Sequence, residues 1–174
     1  TPTLTLTPTL APSATPNSGG SLTVIAVADS YVSDSNLSTN YGTAVTLRTD
    51  AATPVQRSYL RFEVPALSGS VISATLRVYA NSAVNVGYTV HNTSGGWGET
   101  TITFNNAPAF GSSVGSSAAI LANTWTQVDV TGQITGAGQY NFVMASTSST
   151  GTSFSSRTGA NPPQLIINVA GSTP

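Results

Sequence analysis

Four of the five arginines fall in three stretches that alternate apolar and polar residues, AVTLRT (44–49), VQRSYLRFEV (55–64) and VISATLRVYA (71–80). A period of two places successive side chains on opposite faces of a strand. Leu60, Phe62 and Val64 then share one face, and Arg57, Tyr59, Arg61 and Glu63 the other. Ile72, Ala74, Leu76 and Val78 oppose Thr75, Arg77 and Tyr79, and Val45 and Leu47 oppose Thr46 and Arg48. If the three strands share one sheet, Arg48, Arg57, Arg61 and Arg77 gather with Tyr59 and Tyr79 on its outer side. Tyrosine rings stack on apolar faces of sugars, and guanidinium groups hold carboxylates through paired hydrogen bonds. Three readings follow for this face: a sugar-binding platform, a solvated sheet with Glu63 paired to an arginine, or a surface that receives another protein segment.

Other reactive patterns are sparse. GSSVG (111–115) fits the nucleophile-elbow spacing around Ser113, but that elbow needs a strand–turn–helix setting, and here a Gly/Ser loop is expected. His91, the only histidine, stands at a strand end beside NTSGG and reads as a turn neighbour. The six acids, Asp29, Asp34, Asp50, Glu63, Glu99 and Asp129, show no spacing that pairs two across a cleft, as glycoside hydrolysis requires. No enzyme is expected. Asp29, Asp34, Asn36 and Asn40 offer oxygens for Ca2+ within one stretch, against which stands the reading that they cap their own turns. No other metal or cofactor is expected. Without Lys or Cys, Schiff-base chemistry, Lys–Asn crosslinks and disulfides are excluded.

Only 6% of the residues are charged, with a net charge of −1, against about 25% in ordinary domains. That composition lacks the basic footprint that nucleic acid requires. No apolar run reaches the ~20 residues of a membrane span. Polarity comes from 27 Thr and 24 Ser, which suits a secreted, cell-surface protein whose hydroxyls carry sugars. Asn36 (NLS) and Asn92 (NTS) match the N-glycosylation acceptor. The chain opens at Thr1 without a signal-peptide pattern, as expected of a trimmed, exported module.

These residues must be positioned by strands. SLTVIAV (21–27), the three stretches above, VNVGYTVH (84–91), TWTQVDV (124–130), QYNFVMAS (139–146) and QLIINV (164–169) all read as strands. Gly, Pro, Asn and Ser clusters separate them, and one short helical turn fits VTGQITGAG (130–138). The expected fold is an all-β antiparallel sandwich of jelly-roll type over residues 21–170. Trp97 and Trp125 are read as core anchors. Residues 1–20 are rich in Pro, Thr and Ser and read as an extended linker or ordered connector strand, and 171–174 as the start of a second linker. TLTLT (3–7) places Leu4 and Leu6 on one side, fit for contact with a neighbouring module; Thr3, Thr5, Thr7 and Thr9 are O-glycan candidates.

Several stretches, in order, resemble a known family: ADSYVSDSNLSTNYGTAVTLRTD (28–50), RSYLRFEVPAL (57–67) with ISATLRVYA (72–80), WGETTITFNNAPAFG (97–111), WTQVDVT (125–131) and SRTGANPPQLIINV (156–169). They are similar to DNRLRE domains, the disaggregatase-related modules of secreted multidomain proteins. The resemblance implies a non-catalytic jelly roll, often in tandem on bacterial or archaeal surface proteins. Some relatives are carbohydrate-binding modules directed at uronic-acid polymers such as alginate. Two functions are therefore expected: a building block of a surface fibre, stalk or adhesin that associates with itself or with neighbouring modules, or a linker-tethered module for an acidic polysaccharide.

Overall fold

A computed structural model describes residues 19–171. The connector residues Leu4 and Leu6, the threonines at 3, 5, 7 and 9, and residues 172–174 lie outside the described residues. Among the described residues, eleven strands form two antiparallel sheets packed face to face, the jelly-roll sandwich that the alternation predicts. Sheet A contains β1 (Ser21–Ile25), β3 (Thr46–Thr49), β5 (Val71–Ala80), β8 (Thr124–Asp129), β10 (Thr152–Ser155) and β11 (Gln164–Val169). Strand β5 organises it. One edge of β5 pairs with β8; the other pairs with β11 and, at Ala80, with β10. β1 and β3 close the two outer ends. Sheet B runs β2 (Ala28–Ser33), β4 (Gln56–Val64), β9 (Gly138–Ser146), β6 (Tyr88–Thr93) and β7 (Phe110–Ser116). A single 3-10 turn at Thr131–Gln133 follows β8. No helix among the described residues is long and apolar enough to cross a membrane.

The core sits where the inward residues of the two sheets meet. Leu60, Phe62, Leu76, Val78, Phe142, Met144, Phe154, Leu165 and Ile167 are essentially sealed, each contributing about 1.5–3 kcal/mol by leaving water. Tyr88 packs edge-on against Phe154, centroids 5.3 Å apart. Its hydroxyl pairs with Thr126 Oγ1 at 2.7 Å, and Thr126 donates to Val78 O, so the buried phenol is satisfied. Two residues of the expected core set depart from it. Val45 and Ile72 are each 61% exposed, because they lie at or beyond strand ends, where the opposite sheet no longer covers them.

Strands β2, β7 and β10 are additions to the sequence reading. β2 is an edge strand, yet all six residues are buried, which erases the alternation that would announce it. β7 and β10 are Ser/Gly-rich and short, and pairing rather than intrinsic preference makes them strands.

Candidate functional site

The six arginines and tyrosines singled out above do not share a sheet. Arg57, Tyr59 and Arg61 belong to β4 in sheet B, whereas Arg48, Arg77 and Tyr79 belong to β3 and β5 in sheet A. The two sets therefore look out from opposite sides of the sandwich. Sequence alternation gives the face of a strand relative to its own core, but not the sheet that the strand joins.

The sheet B set is largely covered. The segment between β6 and β7 folds over it, and Trp97, Ile102, Phe104 and Ala107 make a second apolar cluster with Ala28, Val32, Tyr59 and Val143. Tyr59 is buried, meets the Trp97 ring at 5.9 Å, and donates its hydroxyl to Pro108 O at 2.9 Å. Burial pushes its phenol above the ordinary value, with Arg57 acting the other way. Arg61 lies 4.5 Å over Trp97 and donates to Asn141 Oδ1 and to the carbonyls of Gly95 and Trp97. Arg57 lies near Phe104 and Phe110, at 5.6 and 5.1 Å. Glu63 accepts from Gln139 rather than from an arginine. Replacing Tyr59 with Phe removes one hydrogen bond to the covering segment. It is expected to cost about 1 kcal/mol in chemical denaturation and to raise protease cleavage between residues 94 and 109, with no other change to the sheet.

The sheet A set has no segment folded over it: Arg48 is exposed, and Arg77 and Tyr79 are half-buried. Arg77 on β5 is flanked in register by Gln127 of β8 and Gln164 of β11, and donates to Gln164 Oε1 at 3.4 Å. Tyr79 stands opposite Trp125. The rings meet edge to face at 5.5 Å, and the Arg77 guanidinium lies 4.6 Å over the indole. Trp125 is thus not a core anchor: Thr126, Val128 and Val130 take the inward positions and leave it half-buried on the outer side. Its ring also borders a groove of about 390 Å³ with Leu121, Thr124 and Gln127. Along β5 the face continues past Tyr79 to Asn81, whose amide donates to Ser153 on β10, the register partner of Arg48. Arg48, Arg77 and Tyr79 therefore lie along one face with Trp125 as its largest ring.

The model of carbohydrate-binding module family 96 matches residues 21–169. The chain belongs to that family. No curated protein matches it. Of the two functions drawn from the sequence, the match favours carbohydrate binding over the building block, and it agrees with the carbohydrate-binding relatives that the resemblance named.

Within this family member, the family-like stretches meet at a buried charged staple rather than at the open face. Asp29 opens β2 and is 1% exposed. Its Oδ2 accepts the Arg157 N–H at 2.6 Å, and its own N–H donates to Glu99 Oε1 at 2.9 Å. Arg157 grips both Glu99 oxygens through Nε and Nη2. Asn40 adds hydrogen bonds to the carbonyls of Glu99 and Ile102. Residues 70 and 58 positions apart thus pin the covering segment to β2 and to the loop before β11. The acids carry no local pairing pattern, and only their position within the family-like stretches marks them.

The residues of the metal and enzyme readings are placed as follows. Asp29 is held by Arg157, and Asp34 Oδ1 accepts the Val55 N–H at 2.9 Å. Among the described residues, no three His, Cys, Asp or Glu side chains converge to hold a metal ion. Ser113 sits in β7 rather than in a loop, in register with His91. The His91 Nδ1 engages Gly111 O, and its ring packs on Phe110.

The staple titrates. Burial pushes the Asp29 carboxyl up to about 7, the Arg157 N–H pulls against it, and the Glu99 charge adds to it. Unfolded, this group titrates near 3.8. Between those values the native state holds the proton, so this contribution is largest below about pH 4 and falls as the pH rises to about 7. Glu99 works oppositely. Burial opposes its charge, but hydrogen bonds from Arg157 and Asp29 hold it below its ordinary 4.5, so its contribution is lost as pH falls beneath that value. Thermal melts from pH 5 to 8 are expected to show falling stability in the wild type and a flatter profile in Asp29→Asn.

Proposed function

We propose that this chain is a secreted, non-catalytic module that holds a polysaccharide along the outer face of sheet A. The observation that carries the reading is Trp125, half-buried on the outward face of β8 and braced by Arg77 and Tyr79. A braced indole offers a rigid apolar surface at low entropic cost, and the flanking Gln127 and Gln164 supply donors and acceptors for hydroxyls. Arg77 is the one cation beside the indole, since Arg57 and Arg61 lie on the other sheet, so the expected polymer is of low charge. An acidic polymer is the second reading, favoured by the lack of any carboxylate ion-pair partner for Arg48 and Arg77 among the described residues.

Affinity electrophoresis through neutral polysaccharides and through alginate tests both. Retardation by a neutral polymer that persists in 0.5 M salt, beyond the roughly 10 Å screening regime of 0.1 M, supports the main reading. Retardation by alginate alone, abolished by salt, supports the second. No retardation in any gel overturns both. The inter-module contact of the building-block reading was assigned to Leu4 and Leu6, which lie outside the described residues.

A further inference from the structure

At the end of the sheet A face lies a pocket of about 280 Å³ lined by Arg48, Asp50, Pro54, Gln56, Thr152 and Ser153, with Gly151 at its rim. Its polar groups come from three strands by register. Arg48 pairs with Ser153, Thr49 with Thr152, and Asp50 exchanges both backbone hydrogen bonds with Gln56 at 3.0 Å. Asp50 Oδ1 accepts the Ala52 N–H at 2.9 Å. Its Oδ2 lies where a side chain at position 151 would stand: a Cβ on Gly151 would come within 2.8 Å of it. Glycine there keeps the carboxylate oxygen open. Thr152 is 3% exposed, and its Oγ1 has no partner among the described residues. An unpartnered buried hydroxyl is unusual, and here it belongs to a residue that lines a polar hollow.

We infer that this pocket binds the terminal ring of an uncharged sugar chain. The inference rests on the carbohydrate-binding reading and adds where a chain ends and what its last ring carries. A carboxylate accepts from two adjacent hydroxyls, a guanidinium donates to hydroxyl or ring oxygens, and an amide does both. Arg48, Asp50 and Gln56 supply that set around a space smaller than the roughly 300–1,000 Å³ of drug-sized pockets, suited to one ring. The Asp50 charge offsets that of Arg48 and disfavours a uronate, whose carboxylate would meet it. Arg48 stays anchored from the other side by Tyr31, 6.0 Å from its guanidinium, and Tyr31 stacks on Tyr41 at 4.1 Å. Position gives the chain end. Ser153, which lines the pocket, accepts from Asn81, the residue that follows β5 two positions after Tyr79, so a chain lying across Trp125 and Tyr79 reaches the pocket at one terminus.

An array of oligosaccharides ending in neutral hexoses or in uronic acids, probed with the wild type, Asp50→Asn, Gly151→Ala and Trp125→Ala, tests this. Asn at 50 retains an acceptor for Ala52, and Gly151→Ala fills the pocket and pushes the Asp50 Oδ2 aside, since the added Cβ would stand 2.8 Å from it. Circular dichroism melts check that each variant folds. Expected is a roughly 10–100-fold weaker signal for neutral-ended glycans with both pocket variants. On a bound polymer, capacity per gram should rise as partial hydrolysis multiplies its ends. Pocket variants that bind like the wild type while Trp125→Ala does not would overturn the pocket and leave the platform standing. Loss in the pocket variants with Trp125→Ala unaffected would overturn the platform and keep the pocket. Capacity that follows mass rather than ends, or uronate-ended glycans alone being bound, removes the end-binding inference. A wild type that binds no glycan on the array removes both.

Discussion

Trp125→Ala is expected to weaken polysaccharide binding by about 30-fold or more while leaving the sandwich folded. The indole is the largest ring on the open face, with Arg77 at 4.6 Å and Tyr79 at 5.5 Å, and truncating a braced aromatic anchor of this kind costs roughly 2–4 kcal/mol of binding. The effect on folding is small because the inward neighbours Thr126 and Val128, not Trp125, join the packing between the sheets. Isothermal titration with the polymer identified by affinity electrophoresis, set beside a thermal melt, separates the two. Tyr79→Ala should follow in the same direction with a smaller loss, since it removes the edge contact but not the stacking surface. Unchanged affinity in Trp125→Ala, with the melt also unchanged, would refute the proposed face.

The second large effect concerns stability. Glu99→Ala is expected to destabilise the fold by about 3 kcal/mol, at the lower end of the roughly 3–5 kcal/mol for breaking a buried pair, because the Arg157 side chain is about a third exposed. The loss has two parts. Arg157 keeps a charge with no carboxylate to grip, and the Asp29 N–H, buried at the start of β2, loses its acceptor. The mutation also frees the segment that covers Tyr59 and Trp97. Urea denaturation should therefore show a lower midpoint, and hydrogen exchange should rise first at β2 and over residues 97–107. Arg157→Lys should recover only part of the stability, since an ammonium cannot reproduce the two-pronged contact of a guanidinium with both carboxylate oxygens.

The two predictions separate the two sides of the molecule. Sheet B carries its arginines and tyrosine beneath a covering segment tied down by Asp29, Glu99 and Arg157, and these residues hold the fold. Sheet A leaves Arg77, Tyr79 and Trp125 half-buried with no segment folded over them, and these residues form the proposed ligand face. Residues of the same types, on strands with the same alternation, perform different tasks according to what lies above them. Arg61 has carbonyls and an indole around it; Arg77 has an indole and two glutamines.

Residue order alone determined the class of fold. Leu60, Phe62 and Leu76 take the inward side because a two-residue period with apolar residues on one face has only one way to leave water, and no stretch carries the helical period. The same pattern gave the outward orientation of Arg48, Arg77 and Tyr79. It could not give the sheet to which each strand belongs, because hydrogen-bond partners in a sandwich are set by chain crossings that local alternation does not encode. It missed β2, buried on both sides, and β7 and β10, whose Ser and Gly become strand only through pairing. It read Trp125 as a core anchor although an indole between threonines satisfies either face, and the structure turns it outward. Asp29, Glu99 and Arg157 came together only in three dimensions, across separations where no spacing rule connects a carboxylate with its guanidinium.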